Sequence, residues 1–547
     1  MKKYFSAGGL LILALIFWAG PAAAGDDLAT DITRETIVGP GSVQVQTGKD
    51  ILMSFGATVR IIPTSDTDWD FGMSKEPAVA GGYLFGGLGK NFFKDHVNEA
   101  GWVNNSYIRN ETKIYFNAMP RDRKWSFYAA LEFDDILDTG SVDARGGKSN
   151  DTSNFGLERL QGTFALPYNM RFHAGWDVWH VDAIEAASFV YGDDNPGFWL
   201  TGDYDTFSFN VGYFKLAEND FQTAPATLNN AADDDRSLYA GYVTWKPDKQ
   251  NKLQFFYLFD RIRNIPANDL LASLSGGLFG IATGKTPSTD SHHVGGYWIG
   301  NYGGLELFFE GVYQFGQAED TGFAQGDFDI SAYALAADIS YDFKASLGFM
   351  LKPHLGFIYT SGDDDPTDDN LEGYVGVETG PRFSKRWGGE NTIIGDTNLV
   401  LGTILYSYLP SLYGNGTPIA TGGLQNTAGM GTGRGDNPGL TLISAGLTYA
   451  PRRFIIYKTN ANVFRWNEDF NVTNMVNPLL GTTKVDSGYV GTEWDNELTL
   501  ALSRHSFIKG QAAFFFPGGG VKDVTEALGA KSDDTAMRLA MEFIWNF

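Results

Sequence analysis

Cysteine is absent from this 547-residue chain. That excludes disulfides, thiolate metal sites, covalent c-type haem and an N-terminal lipid anchor, and it suits a chain that crosses an oxidising periplasm unfolded. Long hydrophobic runs are also missing. Beyond Gly25 no stretch reaches the ~20 apolar residues that a spanning helix needs, so any passage through a membrane must use strands. Charged residues are sparse at 19%, and the basic ones are outnumbered 41 to 65, giving a formal net charge of -24. Such acidity argues against nucleic acid as a partner. What the chain has instead is 67 glycines and 14% aromatics, a composition that favours many twisted strands over helices.

The N-terminus reads as a processing signal. Lys2 and Lys3 precede an apolar stretch from Gly8 to Ala19, and Pro21-Ala22-Ala23-Ala24 supplies the small residues before a cleavage point. The apolar run is short and is followed at once by Gly20, Pro21 and acidic residues, which predicts export rather than anchoring. The expected organisation is a signal peptide over 1–24, a periplasmic N-terminal segment over 25–50 and a barrel over 51–547.

The case for a barrel rests on period-two alternation, because successive side chains of a strand point to opposite faces. In the last segment Met537, Leu539, Met541, Phe543, Trp545 and Phe547 share one face, and Arg538, Glu542 and Asn546 share the other. Residues 51–62 place Met53, Phe55, Ala57, Val59 and Ile61 opposite Ser54, Gly56, Thr58 and Arg60. About 18 such segments recur along the chain, an even number as single-chain bacterial barrels normally have. Short polar turns such as 120–124, 167–169, 247–250, 301–303 and 451–452 alternate with long loops rich in Gly, Asp and Asn, such as 63–103, 217–235 and 264–291. The reading is therefore all-β: a transmembrane antiparallel β-barrel of about 18 strands with short periplasmic turns and long extracellular loops. Residues 397–408 look strand-like but alone would make the count odd, so they are placed inside one long loop at about 361–437. A partner strand near 409–435 would instead make the total about 20. Pro353, inside the thirteenth segment, removes a ladder donor and predicts a bulge.

A barrel this wide leaves an aqueous channel unless loops plug it. The polar faces nominate pore-lining residues: Arg60, Arg109, Lys113, Glu132, Arg159, Arg171, Asp177, Glu306 and Glu310. Opposed charges there either set a transverse field at a constriction or form ion pairs that stiffen the wall. The acidic run holding Asp363, Asp365 and Asp368 offers oxygen ligands for Ca²⁺ but lacks the EF-hand spacing, so a solvated external loop, bridged to lipopolysaccharide by divalent ions, is the preferred reading. His292-His293 reads as interfacial. Ser291-His292 and His505-Ser506 lack a third partner for hydrolysis, so no enzyme is expected, and no cofactor.

Two resemblances sharpen these expectations. The ending with Trp545 and Phe547 resembles the C-terminal signal of bacterial outer-membrane barrels, which implies recognition by the barrel-assembly machinery. Tyr359-Thr360-Ser361-Gly362-Asp363-Asp364-Asp365-Pro366-Thr367-Asp368 resembles the strand-to-loop motif of alginate-export-type barrels, and Leu157-Glu158-Arg159-Leu160-Gln161-Gly162 looks like an Arg-bearing strand of the same group. That resemblance implies an 18-strand monomeric barrel whose lumen arginines contact an acidic polysaccharide, with roles for Arg159 and Arg171. The pattern departs after Asp368, where Asn370-Leu371-Glu372-Gly373 replaces a Phe- and Pro-rich stretch. The function expected is an outer-membrane pore for passive diffusion or facilitated transport of small hydrophilic or charged solutes, in contact with outer-membrane lipid and lipopolysaccharide. A polysaccharide-export channel, or a sheath holding a partner electron-transfer cytochrome in its lumen, are the alternatives.

Overall fold

Alternation turns into strands throughout the chain. The computed structural model describes residues 43–46, 50–68, 71–72, 105–137, 156–181, 190–217, 235–263, 288–321, 326–365, 368–374, 376–377, 438–473, 482–527 and 533–547; the expected signal peptide over 1–24 and residues 397–435 lie outside them. The strands are β1 Ile51–Thr67, β2 Asn105–Pro120, β3 Trp125–Ile136, β4 Gly156–Leu166, β5 Met170–His180, β6 Gly192–Asp203, β7 Phe207–Ala217, β8 Arg236–Trp245 and β9 Asn251–Ile262. They continue with β10 Ser288–Tyr302, β11 Leu305–Thr321, β12 Gly326–Tyr341, β13 Met350–Thr360, β14 Leu440–Arg452, β15 Ile455–Trp466, β16 Tyr489–Ala501, β17 Ser506–Pro517 and β18 Ala536–Asn546. Each pairs antiparallel with its chain neighbours, and β18 returns to β1, with Val59 opposite Trp545 and Ile61 opposite Phe543. Ala57 and Phe547 complete this seam by exchanging backbone hydrogen bonds of 2.6 and 3.0 Å. The result is a closed 18-strand barrel without a free sheet edge.

The larger strand count is not needed. Met350–Tyr359 of β13 pair directly with Thr441–Ala450 of β14, so no further strand is inserted between them. Two short extras join the sheet without spanning it: Val43–Gln46, from the N-terminal segment, lies along the start of β1, and Asn370–Leu371 pairs parallel to the start of β12. The bulge expected at Pro353 is absent. Its pairing with Leu447 is regular, and the ladder with β12 begins only at His354, so the missing N–H falls beyond the end of that ladder.

One face of every strand carries the exposed apolar side chains, among them Phe55, Ile108, Phe164, Phe198, Phe255, Phe309, Leu355, Trp494 and Trp545. This is the lipid-facing belt. The opposite face looks into the barrel, and there the long-loop half is packed. Trp179, Trp199, Phe214, Leu238, Leu258, Phe464, Trp466 and Phe515 project inward and are buried together with Phe71, Val181, Val190, Tyr191, Tyr374, Val377 and Val521, which belong to the connections on that side. Strands such as β7, apolar outward at Phe207 and Val211 and inward at Phe214, break the polar alternation where they meet this interior cluster.

Candidate pore-lining site

Below the apolar cluster the inner face is ionic. From β17 around to β5 the side chains form a continuous belt: Lys509 bonds Glu542 at 3.3 Å, Arg60 bridges Glu542 and Glu111, and Lys113 reaches Glu132 at 3.2 Å and Glu158 at 2.8 Å. Arg159 then lies between Glu158, at 3.9 Å, and Asp177, at 3.6 Å, whose carboxylate also accepts from Gln161. Nearer the long loops, Arg538 donates to Asp66 at 3.1 Å and to the Tyr107 hydroxyl at 3.0 Å. On the far wall Lys352 pairs with Glu306 at 3.3 Å, and His354 connects Asp338, at 3.1 Å, to Asn460. That last link skips β14 because Gly446 stands between them. A Cβ there would collide with both the Asn460 amide and the His354 ring.

The nominated residues thus share the inner face, and the structure groups most of them as ion pairs. Arg109 projects inward beside Glu111 and Lys113 on β2, and Glu310 is buried on β11 between Tyr297 and Ala336. Arg171 makes no salt bridge among the described residues; its neighbour His173 shares a hydrogen bond with Thr201 and stacks on Trp199. Strict alternation misses Glu158. A bulge shifts the β3–β4 ladder between Ala130 and Leu131, so Glu158 and Arg159 both face inward. The signal is legible in the sequence: Leu157 and Leu160, both outward, are three residues apart instead of two. His292 faces outward in a stack with Phe259 and Phe315, whereas His293 turns inward.

A second group missed by sequence reading holds the start of the long loop against the wall. From the end of β13 the described residues of the long loop, 361–365, 368–374 and 376–377, run inside the barrel. Leu371 packs on Phe328, Ile330 and Ala318, Tyr374 meets His293 edge-on at 6.1 Å, and the Val377 N–H donates to the Val190 carbonyl at 2.7 Å. Arg236, on β8, donates to the Val377 carbonyl at 2.7 Å while gripping Asp260 through two bonds of 3.0 and 2.6 Å. The acidic motif forms the base of this strap rather than a convergent ligand set. Asp363 accepts from the N–H groups of Asp365 and Glu372, Asp368 caps Asn370, and Asp365 is exposed. Among the described residues no three His, Cys, Asp or Glu side chains converge as metal ligands.

Burial pushes the Asp363 carboxyl up to about 7, offset by its backbone hydrogen bonds and reinforced by the charges of Asp368 and Glu372. An unfolded aspartate titrates near ~3.9, so the strap binds its proton more tightly when ordered. Its stability is full below the unfolded value, falls as pH rises towards about 7, and is lowest above that. Amide protection in residues 361–377, relative to the intrinsic exchange rate at each pH, should therefore be greater at pH 5 than at pH 8, and Asp363→Asn should remove the difference. Equal protection at both pH values in the unaltered protein would refute this assignment.

Comparison with known proteins fits this architecture. Residues 196–411 match the family model described as alginate export; the match takes in the motif at 359–368 but not the one at 157–162. No curated protein matches the chain. Among solved structures it is similar to Pseudomonas aeruginosa OpdK with vanillate, at 10% identity and a TM-score of 0.43 over 90% of this chain and 99% of that one. It is also similar to a BenF-like porin from Pseudomonas fluorescens Pf-5, at 10% identity and 0.44 over 90% and 99%, and to Salmonella typhi OmpF in complex with daunomycin, at 7% and 0.38 over 92% and 100%. Similarities this low carry nothing about solute. The closed barrel and its lipid-facing belt are those of a multi-pass β-barrel of the outer membrane, and the family match over residues 196–411 agrees with that.

Proposed function

We propose that the barrel is a narrow diffusion pore for small charged solutes, not an enzyme. The observation that carries this reading is the inner belt of neutralised charge below a packed apolar half. Such a lumen offers polar partners to a passing solute while restricting its size. A polysaccharide-export channel is favoured by the family match, but a polyanion calls for cations free to meet it. Arg60, Arg159, Arg236 and Arg538 are each already engaged by carboxylates, which leaves Arg171 as an inward cation without a salt bridge among the described residues. A cytochrome in the lumen would have to displace the strap and the residues packed with it. Outer-membrane lipid, lipopolysaccharide and the solutes themselves are the partners this reading requires.

The test is the reversal potential of the purified barrel across a salt gradient. With a net charge of -24 the pore should prefer cations at low salt and lose that preference as screening shortens to ~3 Å near 1 M. Changing Arg159 and Arg171 together to Ser should shift selectivity further towards cations while leaving assembly intact, because lumen substitutions tune selectivity more than they cost stability. Arg171, without a salt bridge, should carry much of that shift alone. Identical reversal potentials in the double variant and the parent would place both arginines away from the permeation path and refute the reading.

A further inference from the structure

The seam where β18 meets β1 has an interrupted backbone ladder. Ala57 and Phe547 exchange both of their hydrogen bonds. Bonded positions of an antiparallel pair recur at every second residue, which puts Pro63 on one of them, opposite Met541. Proline has no N–H to donate there. The ladder accordingly runs from Thr58 to Ile61 against Asn546 to Phe543, skips Ile62 and Pro63, and resumes from Thr64 to Thr67 against Ala540 to Met537. On its other side β1 pairs with β2 through the same residues without a break. The inner face bridges the gap with charge, since Arg60 and Asp66 lie three residues to either side of Pro63. Asp66 stands directly opposite Arg538, which donates to it at 3.1 Å and to the Tyr107 hydroxyl at 3.0 Å, while that hydroxyl donates to the other Asp66 oxygen at 3.1 Å. Arg60 reaches Glu542 on β18 and Glu111 on β2, and Lys509 of β17 holds the second Glu542 oxygen at 3.3 Å. Asp66, Arg538 and Glu542 are buried.

These contacts join strands from opposite ends of the chain. Asp66 and Arg538 are 472 positions apart, and Arg60 and Glu542 are 482 apart, so neither pair can form before the last strand reaches the first. Backbone groups do not discriminate between registers, because every residue but proline offers the same donor and acceptor. Side chains do. A slip of one residue would turn Arg538 and Glu542 towards lipid, and the smallest slip that keeps them inside is two. A slip of two in either direction would put an alanine, Ala536 or Ala540, opposite Asp66. A buried carboxylate parted from its cation is strongly disfavoured, and fixing register is the best-attested use of buried charge. We propose that the clusters Asp66–Arg538–Tyr107 and Lys509–Glu542–Arg60–Glu111 are the closure lock of the barrel: they select the register in which β18 meets β1 and hold it across the break left by Pro63. The lock does not depend on which solute the pore carries.

The chain has no cysteine, so disulfide trapping in outer-membrane fractions can read the register. Ser65 and Leu539 face each other across the seam, at a separation that a disulfide spans. Ser65→Cys with Leu539→Cys reports the observed register, and Ser65→Cys with Met537→Cys or with Met541→Cys reports a slip of two. In the otherwise unaltered barrel, oxidation should link only the first pair. Asp66→Arg or Arg538→Asp alone should lower that link at least ~tenfold, and the two together should restore most of it. Asp66→Leu with Arg538→Leu, which leaves neither charge buried, should assemble and give slipped links beside the original one. Lys352→Gln, which breaks an ion pair on the far wall, should leave the original link unchanged. Equal yields in the parent and both single reversals would overturn the proposal. So would a swapped pair no better than the single reversals, a double leucine variant linked only in the original register, or a far-wall variant that loses the link as severely.

Discussion

Barrels lacking Phe547 are expected to reach the periplasm and then fail to accumulate in the outer membrane, with folded protein reduced at least ~tenfold. The residue closes the seam: its N–H and carbonyl both bond to Ala57, and β18 has no other partner on that side above Thr58. Two backbone hydrogen bonds are worth only ~2 kcal/mol net, too little to unfold a barrel held by seventeen other ladders. A severe loss would therefore mark Phe547 as part of a recognition signal for the assembly machinery, with Trp545 on the same outward face. Three variants separate these contributions. Deletion removes both backbone and ring, Phe547→Asp keeps the backbone bonds and loses the ring, and Phe547→Leu keeps an apolar side chain. Quantifying the heat-modifiable species in outer-membrane fractions reads the result. If all three accumulate normally, the aromatic ending is incidental and the seam needs no such residue.

Much of this fold is legible in the amino-acid sequence, and the reason is local. Lipid on one side and a polar interior on the other impose a period of two wherever a strand crosses the membrane, so segments such as 536–547 announce both their existence and their facing. The turns were equally plain, since Tyr168 and Asn169, both with positive φ, occupy a connection too short for anything but a hairpin. Two kinds of feature escaped. A bulge is a defect in the period, and at Glu158 it put a residue on the face opposite to the one alternation assigns. Contacts between a loop and a distant strand leave no periodic trace at all. Arg236 and Val377 are 141 positions apart, and nothing in the alternation of β8 points to a carbonyl contributed by the long loop. The apolar interior is visible only as a failure of polarity on the inner faces of β5 to β9 and of β14, β15 and β17. Pro353 misled for the opposite reason: the sequence shows that a donor is missing but not that the neighbouring ladder has already ended.

Removing the anchor of the strap is expected to widen the pore and to raise single-channel conductance severalfold. Arg236 and Asp260 are each only 3% exposed, and the arginine spends one of its donors on the Val377 carbonyl. Arg236→Ala alone would confuse two effects, because it leaves Asp260 as a buried unpaired charge at a cost of ~3–5 kcal/mol. The double variant Arg236→Leu, Asp260→Leu avoids that. Replacing a buried ion pair by apolar residues of similar volume is often neutral or stabilising, so the barrel should assemble as before while the strap loses the contact that draws it across to β8. Among the contacts kept at that end of the described strap are the bond from Val377 to Val190, the bond from the Tyr374 N–H to the Ser361 carbonyl and the edge-on contact of Tyr374 with His293, none of them an ion pair. The strap should move away from the wall more often, which would appear as larger and noisier current steps and as faster amide exchange in residues 368–377 with the strand cores unchanged. Faster exchange with unaltered conductance would show that the strap lies beside the conduction path and that the constriction belongs to Phe464, Phe515 and the aromatic residues packed with them. Unaltered exchange would show that Arg236 does not hold the strap, whatever the conductance.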